Sequence, residues 1–309
     1  MEKISVIVPS YNEEENIIPF YEETVKVSKE IKGVDLEIIY VDDGSSDKTL
    51  SILKDLSEKD KRVKYLSFSR NFGKEAAMIA GLTHAKGDYV TFMDADLQDP
   101  PSLLPKMYKI LKEEDYDSVA ARRSNRKGEK KIRSFLSKKF YSVMNELTHL
   151  DIKSGARDYR LMKRPMVDAL LSMQENKRFT KGMFSYVGFK TKWINYPNVN
   201  RHAGETKWSL KALFTYAFDG IISFSTKPLK LSLFASILFF IAFIALLISF
   251  IVISVKKGFN SILFFSMLIT YITHLIFLII AVSNKYLEII YLEVKNRPKY
   301  VIRESSDDK

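Results

Sequence analysis

Short apolar runs alternate with longer amphipathic stretches through the N-terminal part of the chain. Each run is about the length of a strand, whereas the stretches between them repeat apolar residues at helical spacing. The predicted strands are Ile4–Val8, Leu36–Val41, Val63–Phe68, Tyr89–Met93 and Asp117–Ala121. The predicted helices end near Ile31 and Lys59 or cover about Glu75–Ala85 and Ser102–Glu114. This order predicts an α/β fold with a mostly parallel sheet and helices on both faces.

The hydrophobic pattern changes abruptly near residue 230. Leu231–Val255 contains no charged residue, Lys256-Lys257-Gly258 interrupts the run, and Phe259–Asn284 is again uncharged. Each run exceeds the roughly 20 apolar residues that cross the hydrocarbon core of a bilayer. We therefore predict two transmembrane helices, at about 231–255 and 259–284, joined in a tight hairpin.

Basic residues are unevenly placed around these two runs. Two lysines lie in the connecting loop, whereas many lysines and arginines flank the outer ends. This asymmetry predicts a multi-pass protein of the inner or plasma membrane with both termini in the cytoplasm. The predicted parts are a large cytoplasmic domain at 1–208, an amphipathic segment at 209–228, the hairpin at 229–285 and a cytoplasmic tail at 286–309. The amphipathic segment either lies in the membrane interface or packs as an ordinary helix.

Charge and cysteine content narrow the chemistry. The chain carries 48 Lys and Arg against 37 Asp and Glu, a net charge of +11 at pH 7. That balance favours a polyanionic partner such as nucleic acid, anionic lipid or a phosphorylated substrate. There is no cysteine. Disulfides, thiolate metal sites and cysteine nucleophiles are therefore excluded.

Acidic side chains follow the fourth predicted strand. Asp94 and Asp96 stand two residues apart on an extended chain, so they face the same way, and Gln98 follows. Ligands of open α/β sheets bind at the carboxyl ends of strands. A hard divalent cation takes one or two carboxylates there and completes its shell with water and phosphate oxygens. The pattern predicts such a site, although an acidic turn that caps the next helix gives the same sequence.

Polar residues also follow the other predicted strands. Asn12 is predicted to cap the first helix, and Asp99, which precedes two prolines, is predicted to cap the fourth. Asp42 and Asn71 follow the second and third strands. The chain has no G-x-G-x-x-G fingerprint and no Walker-type loop. Acidic strand ends instead favour a nucleotide diphosphate held through a cation.

These motifs resemble the family 2 glycosyltransferases, and more narrowly the group that acts on polyprenyl phosphates, the bactoprenol glucosyltransferases and dolichol-phosphate mannose synthases. The two-span C-terminus also resembles the bactoprenol branch. The matching segments, in chain order, are Val8–Glu14, Val41–Asp47, Asn71–Glu75, Asp94–Asp99, Ser154–Arg160 and Arg201–Trp208.

The resemblance implies a glycosyltransferase A-type nucleotide-binding domain. It assigns Mg²⁺ or Mn²⁺ to Asp94, Asp96 and Gln98, and a catalytic role to Asp158 and Asp96. The residues that it assigns to nucleotide-sugar binding are Pro9, Tyr11, Asn12, Glu13, Asp42, Asn71, Lys74, Asp94, Arg201 and Lys207.

The acceptor side of the predicted site is basic. Arg122, Arg123 and Arg126 follow the fifth strand, and guanidinium groups match phosphate geometry. We therefore predict that they hold the acceptor phosphate. Asp158 is either a base or a group that orients an arginine or the sugar, because a phosphate monoester is already largely ionised at neutral pH. A structural Asp–Arg pair is the third alternative.

The resemblance implies inverting transfer of a hexose, from UDP-glucose, to undecaprenyl or another polyprenyl phosphate, without a nucleic-acid partner. It also implies a homo-oligomer, a tetramer. Two alternatives stay open. One is transfer to another membrane acceptor, such as diacylglycerol or a lipid-linked saccharide, and the other is a non-catalytic nucleotide-binding membrane protein.

Overall fold

The computed structural model describes residues 1–123, 145–148, 150, 152–153, 156–175, 178–197, 221–225, 244, 247–248, 251 and 261–308. The chain forms two compact units. One comprises Met1–Gly220 together with Pro298–Lys309, and the other comprises Ile221–Arg297.

The strands are β1 (Glu2–Ser10), β2 (Val34–Asp42), β3 (Val63–Phe68), β4 (Tyr89–Phe92), β5 (Ser118–Arg123), β6 (Ala156–Lys163), β7 (Thr191–Tyr196) and β8 (Ile302–Ser305). The α-helices are α1 (Ile17–Ser28), α2 (Thr49–Lys59), α3 (Lys74–His84), α4 (Leu104–Glu113), α5 (Arg164–Ser172), α6 (Thr180–Tyr186) and α7 (Ser261–Lys295).

All of these strands belong to one sheet with the order β7-β5-β6-β4-β1-β2-β3-β8. The central strands β4, β1, β2 and β3 are parallel, as the sequence predicts. Strand β6 runs antiparallel to both of its neighbours, and β7 is parallel to β5. The parallel centre brings the carboxyl ends of β1–β4 to one edge, where the predicted polar residues gather.

Alternating side chains of β1 build the two sides of the core. Ile4, Val6 and Val8 are buried in one cluster with residues of α1, α2 and α4. Ile7 faces α3, where a side chain at position 81 would collide with its methyl group. Because Gly81 has no side chain, α3 packs close against the sheet. The predicted helices on both faces are thus confirmed.

The last strand, β8, returns to the sheet of the first unit. It pairs antiparallel with β3, and the amide of Ser69 donates to the carbonyl of Val301 at 3.0 Å. The ring of Tyr300 stacks on Phe68 with centroids 5.2 Å apart. The C-terminal residues therefore form part of the α/β unit.

The second unit is dominated by α7, a helix of 35 residues. At about 1.5 Å per residue this helix is longer than a bilayer core of about 30 Å. Within the described residues one segment, Tyr271–Lys295, is long and apolar enough to cross a membrane. Ile269, Ile276 and Ile280 on this helix are exposed to the surroundings. Most of the span predicted at 231–255 lies outside the described residues.

Candidate active site

The loop after β2 is fixed by two aspartates with different partners. Asp42 is buried and accepts hydrogen bonds from the Ser67 hydroxyl at 2.8 Å and the Ser45 amide at 3.1 Å. Asp43 accepts the amide N–H groups of Phe72 at 2.6 Å and Gly73 at 2.9 Å. Burial raises the pKa of the Asp43 carboxyl against the opposing effect of these amides. Together the two side chains tie the loop after β2 to strand β3 and to the loop that follows it.

Asn12 does not cap the first helix, contrary to the sequence prediction. Helix α1 begins at Ile17, and Asn12 lies upstream in a left-handed conformation with a φ of 52°. Its side-chain oxygen accepts the Ser46 amide at 2.9 Å, and its own amide donates to the Ser45 hydroxyl at 2.9 Å. The physical reason is that a side-chain amide satisfies the neighbouring loop more directly than it satisfies a helix several residues away.

The remaining residues predicted after β1 lie beside that turn. Pro9 is paired in register with Val41 in the sheet. The amide of Glu13 donates to the Thr49 hydroxyl at 2.9 Å. Tyr11 is exposed. The structure therefore brings the ends of β1 and β2 together, as the prediction of a shared binding edge requires.

Lys74, at the first position of α3, joins two acidic residues that are far apart in sequence. Its ammonium lies 2.7 Å from Asp94 Oδ1 and 3.0 Å from Asp158 Oδ2. Burial by itself lowers the pKa of this amine, but the two carboxylates outweigh it and raise the pKa above its usual value. The ammonium thus supplies the positive charge that lets two carboxylates stay ionised side by side.

The positive charges around Asp94 and Asp158 lower the pKa of both carboxyl groups. Burial raises the pKa of Asp158, but Lys74, Lys181 and Arg157 outweigh it and hold the pKa well below the usual range. The pKa of Asp94 is also lowered, because Lys74 and Arg157 together outweigh its burial. A carboxylate with such a low pKa is a weak base.

Arg157 links this cluster to Asp99. Its Nε donates to Asp99 Oδ1 at 2.9 Å, and its terminal nitrogen lies 3.6 Å from Asp94 Oδ2. The Tyr196 hydroxyl donates to the same Asp99 oxygen at 2.9 Å. The predicted helix cap at Asp99 is therefore wrong, because a half-buried arginine and a tyrosine donate to its carboxylate instead. The sequence motifs assign no binding role to Arg157. The one local indication of such a role is its position directly before Asp158.

Asp96 and Gln98 lie in the turn after β4. Asp96 is buried, and its Oδ1 accepts the amide of Gln98 at 3.0 Å. Leu97 between them has a φ of 57°. Asp94 and Asp96 are hard oxygen donors, so they fit Mg²⁺ or Mn²⁺. In the described part of the chain no three His, Asp or Glu side chains group closely enough to hold a metal. A metal held by Asp94 and Asp96 would complete its shell with water or phosphate oxygens.

The structure describes two of the three arginines that are predicted to hold the acceptor phosphate. Arg122 and Arg123 end β5, where they pair in register with Asn195 and Tyr196 of β7. Arg123 has two buried guanidinium nitrogens without a hydrogen-bond partner in the described structure. Asn71 follows β3, and its carbonyl accepts Arg70 at 3.0 Å. Arg126, Arg201 and Lys207 lie outside the described residues.

Comparisons with known proteins agree with this arrangement. The model of the family described as glycosyl transferase family 2 matches residues 5–171. A putative glycosyltransferase, CsbB of Bacillus subtilis, is 42% identical over 307 residues, which cover 98% of this chain and 92% of that protein. The SfII prophage-derived bactoprenol glucosyl transferase of Shigella flexneri is 38% identical over 308 residues, which cover 98% of each chain.

Among solved structures, the crystal structure of a mycobacterial protein matches with a TM-score of 0.50 and 20% identity, and the match covers 72% of this chain and 73% of that chain. That likeness concerns the fold. The chain belongs to glycosyl transferase family 2 and is a glycosyltransferase. Within the family it is similar to bactoprenol glucosyl transferases, which confirms the resemblance to the polyprenyl-phosphate group.

Proposed function

We propose that this enzyme transfers a hexose from a nucleotide-sugar, UDP-glucose, to undecaprenyl or another polyprenyl phosphate with inversion, at the cytoplasmic face of the inner or plasma membrane. The observation that carries the proposal is the cluster of Lys74, Asp94 and Asp158 at the carboxyl ends of the strands. The identity to relatives named bactoprenol glucosyl transferase supports the choice of acceptor.

The donor would lie along the ends of β1–β4. In this proposal Asp42 faces the base, and Pro9, Tyr11, Asn12, Glu13 and Asn71 complete the nucleoside side. Lys74 and, from outside the described residues, Arg201 and Lys207 would contact the diphosphate. Asp94 and Asp96, with Gln98, would hold Mg²⁺ or Mn²⁺, which would offset the charge that develops on the leaving diphosphate.

The transfer needs one bond to form and one to break. An oxygen of the acceptor phosphate attacks the anomeric carbon while the bond from that carbon to the donor diphosphate breaks, so nucleoside diphosphate leaves from the opposite face. The acceptor's second pKa is about 6, so its nucleophilic oxygen is mostly ionised at neutral pH. Asp158, whose pKa lies well below the usual range, then serves to position the Lys74 ammonium and the reacting groups.

The chain path supports the proposed membrane topology. The α/β unit contains both Met1–Gly220 and Pro298–Lys309. A chain that leaves a unit and later returns to it on the same side of a bilayer must cross that bilayer an even number of times. In this proposal helix α7 and the uncharged run at 231–255 would be the two crossings, and the positively charged flanks favour a cytoplasmic α/β unit.

The test uses the full chain, purified in detergent, with labelled UDP-glucose, a panel of other nucleotide-sugars and separate lipid acceptors. We expect a labelled lipid with polyprenyl phosphate as acceptor, and we expect mild acid to release its sugar. An acid-stable glycolipid formed with diacylglycerol or a lipid-linked saccharide would contradict the proposed acceptor. Absence of any labelled lipid with every donor and acceptor would contradict transfer to a lipid. Light scattering of the same sample tests the proposed tetramer.

A further inference from the structure

A cavity of about 230 Å³ lies beside the catalytic cluster, between β6, α6 and β7. We call it the basic pocket, and its walls include Lys153, Arg157, Arg160, Lys181 and Trp193. Since one water molecule takes about 30 Å³ of liquid, the volume is large enough for a small polar group. No acidic side chain is among the described residues that line it.

Arg160 is the most deeply buried cation of this pocket, with 4% of its surface exposed. One terminal nitrogen donates to the Thr191 hydroxyl at 3.3 Å. Its guanidinium lies 4.3 Å from the ring centroid of Phe184 and 5.5 Å from that of Trp193. Within the described residues its Nε has no hydrogen-bond partner, and no carboxylate forms an ion pair with it.

A buried guanidinium with an unsatisfied donor destabilises the folded protein. A buried charge needs a partner, and a buried donor without an acceptor costs about 1–3 kcal/mol. Burial lowers the pKa of Arg160 to about 9, which Asp158 partly offsets. At neutral pH the guanidinium therefore remains positively charged, so an anion in the pocket would gain both a charge partner and a free donor.

The pocket also adjoins the reaction centre. Arg157 is a wall of the pocket and lies 3.6 Å from Asp94. The charge of Lys181, another wall residue, helps to hold the Asp158 pKa down. A ligand in the pocket would thus lie next to the groups that we assign to the donor sugar and its diphosphate. Its aromatic walls, Phe184, Phe189 and Trp193, suit carbon atoms attached to the anion.

From these contacts we propose that the basic pocket binds the phosphomonoester head of the lipid acceptor, with Arg160 and Lys181 on the phosphate and the aromatic walls on the adjoining hydrocarbon. The inference rests on the proposed function and adds a binding site outside the predicted arginines that follow β5. A neutral sugar fits the pocket less well than an anion, because the buried Arg160 guanidinium, which pairs with no carboxylate of the described residues, would remain without a counter-charge.

Kinetics of full-length variants test the role of the pocket. Lys181→Met and Arg160→Lys should each raise the acceptor KM by about tenfold, which corresponds to the loss of one charge-assisted hydrogen bond. The donor KM should change by less than about twofold, because neither side chain is assigned a hydrogen bond to the donor. Arg160→Lys keeps the charge but loses Nε and the planar fork. Lys190→Met is the matched control, because Lys190 is an exposed lysine paired with Asp115 outside the pocket. Unchanged acceptor KM in folded Lys181→Met would overturn the proposal even if Arg160→Lys fails to fold.

Direct binding separates this inference from the proposed function. The chain has two tryptophans, so Trp208→Phe leaves Trp193 as the single reporter inside the pocket. When farnesyl phosphate is added to this protein without donor, the Trp193 fluorescence should change. The change should saturate at a concentration at least tenfold lower than with inorganic phosphate, because the hydrocarbon adds apolar contact. Farnesol is the control without phosphate and should give no change.

The outcomes are distinct. Farnesyl phosphate binding that changes the Trp193 signal in Trp208→Phe protein, and that Lys181→Met in the same background weakens, supports the pocket. This result would stand even if sugar transfer to polyprenyl phosphate failed and the proposed function were wrong. If the enzyme transfers sugar but its Trp193 fluorescence does not change with farnesyl phosphate, the proposal for the basic pocket is wrong and the proposed function stands. Equal affinity for inorganic and farnesyl phosphate overturns the acceptor assignment, since it shows a site for a free oxyanion.

Discussion

The donor edge, meaning the loops that follow β1–β4, and the acceptor side, meaning β5–β7 with α6, satisfy their charged groups differently. On the donor edge Asp42 and Asp43 accept backbone and hydroxyl donors, and Asp94 contacts Lys74. On the acceptor side Arg123 and Arg160 keep guanidinium nitrogens that have no partner among the described residues.

This difference indicates how much of each region is preformed. The acidic side chains of the donor edge are held by the protein itself, so the edge can position a nucleotide-sugar without rearranging. Arg123 and Arg160 on the acceptor side form no ion pair with the described residues, so an anionic substrate would complete that region. We therefore expect donor-edge substitutions to damage the fold or the reaction, and acceptor-side substitutions to affect mainly acceptor binding.

The largest expected effect concerns the proposed metal. Asp96→Asn should reduce turnover by about 10³-fold, the scale of losing one strong electrostatic stabiliser, because the amide keeps the shape but loses the charge. Steady-state turnover should also vanish in chelator and return with Mg²⁺ or Mn²⁺. Asp115→Asn, at an exposed acid far along the chain from β4, serves as the control. Full wild-type activity in excess chelator would show that Asp94 and Asp96 hold no metal.

Asp158→Asn should lower kcat by about 100-fold through misplacement of reacting groups. Because the acceptor is already ionised above its second pKa of about 6, the loss should stay nearly constant from about pH 6 to 9. The measurement is kcat against pH for both proteins with saturating donor and acceptor. A deficit that shrinks steadily above pH 7 would identify Asp158 as a base and refute the orienting role.

A pair of substitutions compares the two regions in one assay. Asp43→Ala should lower the free energy of unfolding of the α/β unit by about 2–3 kcal/mol, because two loop amides lose a charged acceptor. Arg123→Met should leave stability within about 1 kcal/mol or raise it, since it removes a half-buried cation that has no charge partner among the described residues. Urea unfolding, followed by circular dichroism, measures both. A larger loss in Arg123→Met than in Asp43→Ala would reverse the comparison.

The smallest effect is expected at the remote edge of the sheet. The Lys54 ammonium lies 2.6 Å from Glu304 of β8, with both side chains partly exposed. Lys54→Met should therefore cost less than about 1 kcal/mol, as exposed ion pairs usually do, with unchanged donor KM. Lys26→Met, which removes a similar exposed pair within α1, is the matched control. A loss several times that of the control would mean that β8 depends on this contact.

The sequence predicts most of the first half of the sheet because β1–β4 are apolar runs bounded by polar residues. It does not show β6, since Arg157, Asp158 and Arg160 interrupt the apolar pattern of that strand. Strand β8 is short and only partly buried, so no hydrophobic alternation marks it.

The candidate site, like the sheet, is predictable from the sequence only in part. Motif spacing places Asp94 and Asp96 at a strand end, but no local signal tells that Asp99 accepts Tyr196, which is 97 positions away. Asn12 likewise has the sequence of a helix cap and takes a partner 34 positions along the chain. Local rules fail at these residues because tertiary partners outcompete the nearby helix.

The return of β8 to the sheet also matters for how the protein is made. Strand β8, which lies beside β3, follows the whole apolar segment along the chain, so that segment is synthesised before it. The α/β unit can therefore begin to fold early but cannot complete this sheet until β8 has been synthesised. Until then the outer edge of β3 remains open to pairing with another chain. A chain that stopped after α7 would leave the outer edge of β3 unpaired, so completion of this sheet requires that the apolar segment has first been synthesised.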